Sequence, residues 1–172
     1  MVAVDAGTLL SAIDDILAET PIKLGAVAYG PFKDLRVPHE SSRANSVHMF
    51  KNIIGRVLLT HAHLDHISGL AINTPILDSR DNPKPVAGLP YVVDALKAHL
   101  FNGLIWPNLT NEDNGIGLIK LERVKDSGRP IPISVDSSEY TPACKGLLTR
   151  CFGLSHGQRP PSHLESSGFT AQ

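Results

Sequence analysis

Apolar residues along this chain come in short bursts, some at helical spacing and some contiguous, and the switches between them mark the expected elements. Val2–Val4 is a short apolar run that predicts a strand ending at Asp5-Ala6-Gly7. Leu9, Leu10, Ile13, Ile16 and Leu17 then recur at helical spacing, with Thr8 able to cap the start and Pro21 to stop the chain from continuing as helix. Residues 30–45, with Pro31, Pro38 and scattered charge, read as loop. Val47, Met49, Phe50, Ile53 and Ile54 predict a second helix closed by Gly55. Val57-Leu58-Leu59-Thr60 reads as a buried strand that feeds directly into His61.

A third helix is expected from about Leu89 to Asn102, because Pro90 suits a first turn and Val92, Val93, Leu96, Leu100 and Phe101 form one stripe. Ile116–Val124 is β-like, and residues 125–142, rich in Ser, Pro and Asp, read as a surface loop. Leu147–Leu154 predicts a last strand, with Arg150 breaking its pattern, that ends at Ser155-His156-Gly157. Strands alternating with helices predict an α/β (or α+β) class.

Composition changes this picture little. A chain of 172 residues is expected to form one domain. Its 42% hydrophobic and 19% charged content is that of an ordinary globular protein. The formal net charge of −1, with no basic run, argues against nucleic acid or an anionic membrane as partner. No apolar stretch approaches the roughly 18 residues of a membrane span, and the start lacks a basic signal region. A soluble cytoplasmic protein is expected, with Cys144 and Cys151 as reduced thiols. Asn108-Leu109-Thr110 matches a glycosylation site that a cytoplasmic chain would leave idle.

The informative segment is Thr60-His61-Ala62-His63-Leu64-Asp65-His66. Imidazole nitrogen and carboxylate oxygen are both good zinc ligands. In an extended segment His61 and His63 point the same way, so they can grip one ion together. Asp65 and His66 are adjacent, lie past the turn, and can diverge toward a second ion. That spacing suits two metals roughly 3.5–4 Å apart. A further ligand is expected from another strand end, and His156 is the best candidate, since ligands gather where strand ends share a sheet edge. His39, His48, His99 and His163 have weaker claims, His48 and His99 because they fall on predicted helices.

Thr60 to Leu70, Thr-His-Ala-His-Leu-Asp-His-Ile-Ser-Gly-Leu, resembles the motif of the class II cyclic-nucleotide phosphodiesterases, which have the metallo-β-lactamase fold. The likeness extends through Ala71-Ile72-Asn73-Thr74-Pro75 and Lys84–Leu89, then His99–Gly103 and Ile105–Leu109. It continues in Ser155-His156-Gly157 and Glu165–Phe169, and with Val4-Asp5-Ala6-Gly7 it spans nearly the whole chain. It implies an αββα sandwich with two zinc ions. His61, His63 and His156 would hold one, Asp65 and His66 would contribute to the other, and Asp5 would orient the histidine loop from behind.

Two departures from the family pattern bear on the expected site. Family members carry an earlier strand and a glycine-rich turn, and continue to a metal-bridging aspartate and a final histidine; this chain runs from Met1 to Gln172 without either part. An incomplete sandwich with one tightly held zinc is therefore expected. The implied activity is hydrolysis of cyclic AMP, with cyclic GMP as a second candidate, to the 5′-monophosphate by a zinc-activated hydroxide. Asp65 would hold or relay the proton, and Trp106 is a weak candidate for stacking on the base. The rival readings are an inactive family member that binds one zinc and another phosphodiesterase of the same fold, the latter weakened by the missing basic patches.

Overall fold

The apolar run Val2–Val4 forms strand β1 and lies parallel to β4, Arg56–Leu58, with Val2, Ala3 and Val4 opposite Arg56, Val57 and Leu58. The structure is a computed structural model that describes residues 1–78, 80–126, 141–155 and 165–171. Strands β5, Lys84–Gly88, and β6, Ile119–Arg123, complete a four-stranded sheet in the order β1-β4-β5-β6, parallel throughout. Parallel neighbours need a crossover between them. Helices α1, Leu9–Ala18, and α2, Ser42–His48, lie between β1 and β4; α3, Leu64–Asn73, precedes β5; α4, Pro90–His99, precedes β6. The carboxyl ends of all four strands therefore share one edge.

Residues that the apolar pattern marked as helix stripes are the ones that fill the core. Leu10, Ile13 and Leu17 of α1, Met49, Phe50 and Ile54 after α2, and Val92, Val93 and Leu96 of α4 are buried against Val57, Leu59 and Val86 of the sheet. Thr8 stands at the N-cap of α1 but makes no side-chain cap bond. Pro90 occupies the first turn of α4, as expected.

Five features depart from the sequence reading. Helix α2 begins at Ser42, inside the expected loop, because polar groups start it: Ser41 Oγ accepts from Ala44 N, and buried Asn45 exchanges two bonds with the His39 backbone. It then widens into a π-helical turn, Met49–Ile53. A hairpin of β2, Ile22–Lys23, and β3, Ala26–Val27, turns through Leu24 and Gly25, both at positive φ. Strand β5 and helix α3 were not legible either. Pro85 and Gly88 disguise the strand, and the ligand-rich start of α3 reads as loop, although Ile67, Leu70 and Ala71 make a buried stripe.

A second, antiparallel sheet has the order β7-β8-β9, formed by Thr141–Cys144, Leu147–Ser155 and Glu165–Ala171. Of the loop expected over 125–142, residues 127–140 lie outside the described residues, while Thr141 and Pro142 belong to β7 rather than to a loop. Arg56 of β4 donates to the Pro142 carbonyl at 2.5 Å, and Asp126 bridges to Cys151, so the two sheets are tied together. Neither cysteine forms a disulfide. Burial, with the Asp126 charge, pushes the Cys151 thiol up to about 12. Among the described residues no helix is long and apolar enough to cross a membrane.

At its amino end the sheet carries one buried cation. Lys84 is 7% exposed, and its amine donates to the Lys51 carbonyl at 3.0 Å and to the Ile54 carbonyl. These carbonyls close the π-helical turn, where a cation complements the helix dipole. Burial holds the Lys84 amine below the ordinary lysine range. A folded-state value below the unfolded one means that the unfolded chain binds the proton more readily, so Lys84 contributes more stability as pH rises through that window. Urea titrations across the alkaline range should show the natural chain gaining on Lys84→Met as pH increases; a constant or shrinking difference would contradict this. The opposite edge depends on close backbone approach. A Cβ at Gly69 would collide with the carbonyl oxygens of Ala6 and Gly7. Gly69→Ala is therefore expected to cost about 1–3 kcal/mol of stability, read from the urea midpoint.

Candidate metal centre

Strand β4 ends at Leu58, the chain bends at Thr60, and His63, at φ −72° and ψ 148°, caps α3. The backbone N–H of Leu59 still bonds the Ala87 carbonyl at 2.8 Å, so the segment leaves the sheet edge in register. His61 and His63 lie on the link between β4 and α3, and Asp65 and His66 lie in the first turn of α3.

These side chains form one cluster. The His61 and His63 rings have centroids 4.6 Å apart at 79°, and the His61 and His66 rings 3.9 Å apart at 50°. One donor atom from each of His61, His63 and Asp65 lies within 4.8 Å of the other two. Asp65 Oδ2 is 3.4 Å from His66 Nε2, and a carboxylate oxygen of Asp65 also lies close to the His61–His63 pair. The helical turn explains this, since it folds the segment back over the His61–His63 link. His61 is 8% exposed, whereas the Asp65 side chain is 77% exposed, so the cluster has a buried floor and an open rim. Two imidazole nitrogens and a carboxylate oxygen this close could hold a metal ion. His156 and His163 lie outside the described residues. His39 and His48 meet edge-on at 6.2 Å beside α2, away from the cluster's elements, and His99 ends α4.

Behind the cluster stands Asp5, one residue past β1. Its φ of 58° is in the left-handed region, which costs a non-glycine residue about 1–2 kcal/mol. The conformation turns its carboxylate back into the sheet edge. Oδ1 accepts from Thr60 N at 2.8 Å, Oδ2 accepts from the Thr60 hydroxyl at 2.7 Å, and Oδ2 is 2.8 Å from His66 Nδ1. Ala6 N donates to the His66 carbonyl at 2.8 Å, so backbone and side chain hold the same turn of α3. The pattern of Asp-Ala-Gly alone reads better as a helix-start or turn carboxylate; only the fold places it against residues 60–66. The hydroxyl of Thr60, directly before His61, is the one sequence signal for its part in this network. Trp106 packs partly buried against the core with its Nε1 buried, in a turn where its backbone N–H donates to the Leu100 carbonyl.

Three comparisons bear on this arrangement. The sequence pattern of the class-II cAMP phosphodiesterases matches residues 1–142. A 3′,5′-cyclic-nucleotide phosphodiesterase of Schizosaccharomyces pombe is 30% identical over 169 residues, covering 98% of this chain and 44% of that protein. The 3′,5′-cyclic-nucleotide phosphodiesterase 1 of Saccharomyces cerevisiae is 52% identical over 56 residues, 31% of this chain and 15% of its own length. An enzyme of that name from Aliivibrio fischeri is 37% identical over 95 residues, 55% of this chain and 28% of its own. Among solved structures, unliganded yeast PDE1 superimposes with a TM-score of 0.60 at 21% identity, over 98% of this chain and 52% of that one, and shares the metallo-β-lactamase fold. The chain thus spans about half the length of these fungal relatives, or less. With the fold shared and the family pattern matched over most of its residues, the chain belongs to the class-II cAMP phosphodiesterase family.

Proposed function

We propose that this chain carries the histidine-loop part of a 3′,5′-cyclic-nucleotide phosphodiesterase that acts on cyclic AMP in the cytoplasm, with cyclic GMP as a further substrate. The observation that supports the reading best is the convergence of His61, His63 and Asp65 at the carboxyl edge of the sheet, in a chain of this family. We take the ion to be zinc, held by His61 and His63 with His156 as third ligand, and Asp65 and His66 facing a weaker second position. When bound, zinc supplies Lewis acidity toward phosphoryl oxygen and lowers the pKa of nearby water.

The chain's own residues account for positioning and proton handling. Asp5 and Thr60 fix the floor of the site, so that the rings present their donor atoms without reorganisation. Leu64 and Asp65 open α3, and the N–H groups of its first turn favour an anionic phosphodiester at this edge. Water attacks phosphorus in line with the P–O3′ bond; that bond breaks, and the proton lost by the water ends on the 3′ oxygen. Asp65, exposed at the rim, is the group positioned to carry it.

Zinc-loaded protein that carries this chain at the length of its relatives should release 5′-AMP and no 3′-AMP from cyclic AMP, measured by chromatography. His63→Ala and Asp65→Asn should each lower kcat/KM by at least about 100-fold with the circular dichroism spectrum unchanged. Folded, zinc-loaded protein of that length that released no 5′-AMP would sink the phosphodiesterase reading. Metal analysis after exhaustive dialysis should find close to one zinc per chain, because a single three-donor group stands among the described residues. His61→Ala and His156→Ala should each abolish that retention; zinc kept by His156→Ala would remove His156 from the ligand set.

A further inference from the structure

The Thr60 hydroxyl lies between two acceptor-rich partners and has one proton to give. It is 2.7 Å from Asp5 Oδ2 and 2.9 Å from His61 Nδ1. An ionised carboxylate only accepts, so the hydroxyl proton points to Asp5. Thr60 Oγ1 then meets His61 as an acceptor, and His61 Nδ1 must carry the ring proton. The same Asp5 oxygen is 2.8 Å from His66 Nδ1, where it again accepts. One carboxylate thereby fixes both rings, His66 directly and His61 through a hydroxyl.

We propose that Thr60 is a positioning residue that sets the Nδ1–H tautomer of His61, leaving Nε2 as the atom that binds the metal. The observations that carry this are a hydrogen-bond chain from Asp5 through Thr60 to His61, and the burial of that ring. Thr60 N also donates to Asp5 Oδ1 at 2.8 Å, so backbone and hydroxyl hold the residue in one rotamer facing both partners. A ring with its proton on Nε2 alone would leave the Thr60 oxygen facing the Nδ1 lone pair. Partners behind a ligating histidine act in this way, by fixing tautomer and orientation and raising ligand basicity. The proposal rests on the reading above only in taking His61 as a metal ligand.

The test uses the full 172-residue chain without substrate, so it is independent of cyclic-nucleotide hydrolysis. In the metal-free natural chain, histidine 15N spectra should show His61 as the Nδ1–H tautomer. Zinc affinity by chelator competition should fall about 10–100-fold in Thr60→Val and recover to within about threefold of the natural chain in Thr60→Ser. A structural role alone would not move the tautomer signal, and would not be rescued by the hydroxyl specifically. His61 found as Nε2–H in the natural chain, or Thr60→Val binding zinc as tightly as the natural chain, would overturn the proposal. If Thr60→Val fails to fold, the ring signals of the unsubstituted chain decide. Loss of cyclic AMP hydrolysis with the expected tautomer would sink the phosphodiesterase reading and leave this one standing.

Discussion

Asp5 sits one residue past the end of β1, and its carboxylate reaches the Thr60 backbone, the Thr60 hydroxyl and the His66 ring. Three separately built pieces meet there: the turn after the first strand, the end of β4, and the first turn of α3. None of the three would fix the others by packing alone, because the histidine loop is short, polar and open on one side. A left-handed backbone at Asp5 is the strain that the arrangement tolerates. Charge-assisted hydrogen bonds to a carboxylate, roughly twice as strong as neutral ones, are sufficient to hold it.

The parallel sheet makes this meeting possible. With β1, β4, β5 and β6 all running the same way, every crossover returns to the opposite edge and every strand delivers its next residues to one rim. The rim is tight. Gly7 and Gly69 let the Ala6-Gly7 backbone lie directly against α3, and side chains there would push Asp65 and His66 out of register with His61. Close backbone contact and the carboxylate act on the same turn of helix, so the cluster's geometry follows from the scaffold and not from the loop itself.

The two edges of the sheet handle buried charge differently. At the amino edge Lys84 spends its amine on helix carbonyls and stays structural. Further along, Arg123 pairs with Asp94 and Glu112, and Lys97 with Glu112 and Asp113, an exposed network that ties α4, β6 and the segment between them. Such pairs add little stability where solvent reaches them. At the carboxyl edge the polar groups face one another and an open rim, which is the arrangement that chemistry requires.

Much of this was legible in the chain. The apolar stripes of α1 and α4, the runs that became β1, β4, β6 and β8, and the ligand-dense segment from His61 to His66 are all properties of neighbouring residues, which a sequence displays directly. Family likeness rests on the same local words. What could not be read were features set by residues far apart in the chain. Helix α2 starts where Asn45 can hold the His39 backbone, β5 is a strand because Val86 and Ala87 are covered from both sides, and Asp65 joins His61 and His63 because a helix begins at Leu64. The sequence by itself determined which groups could bind a metal, since donor chemistry belongs to the side chain. Only the tertiary structure decided which of them share a site and what stands behind them, because Asp5 and Thr60 are 55 residues apart and meet solely through the pairing of β1 with β4.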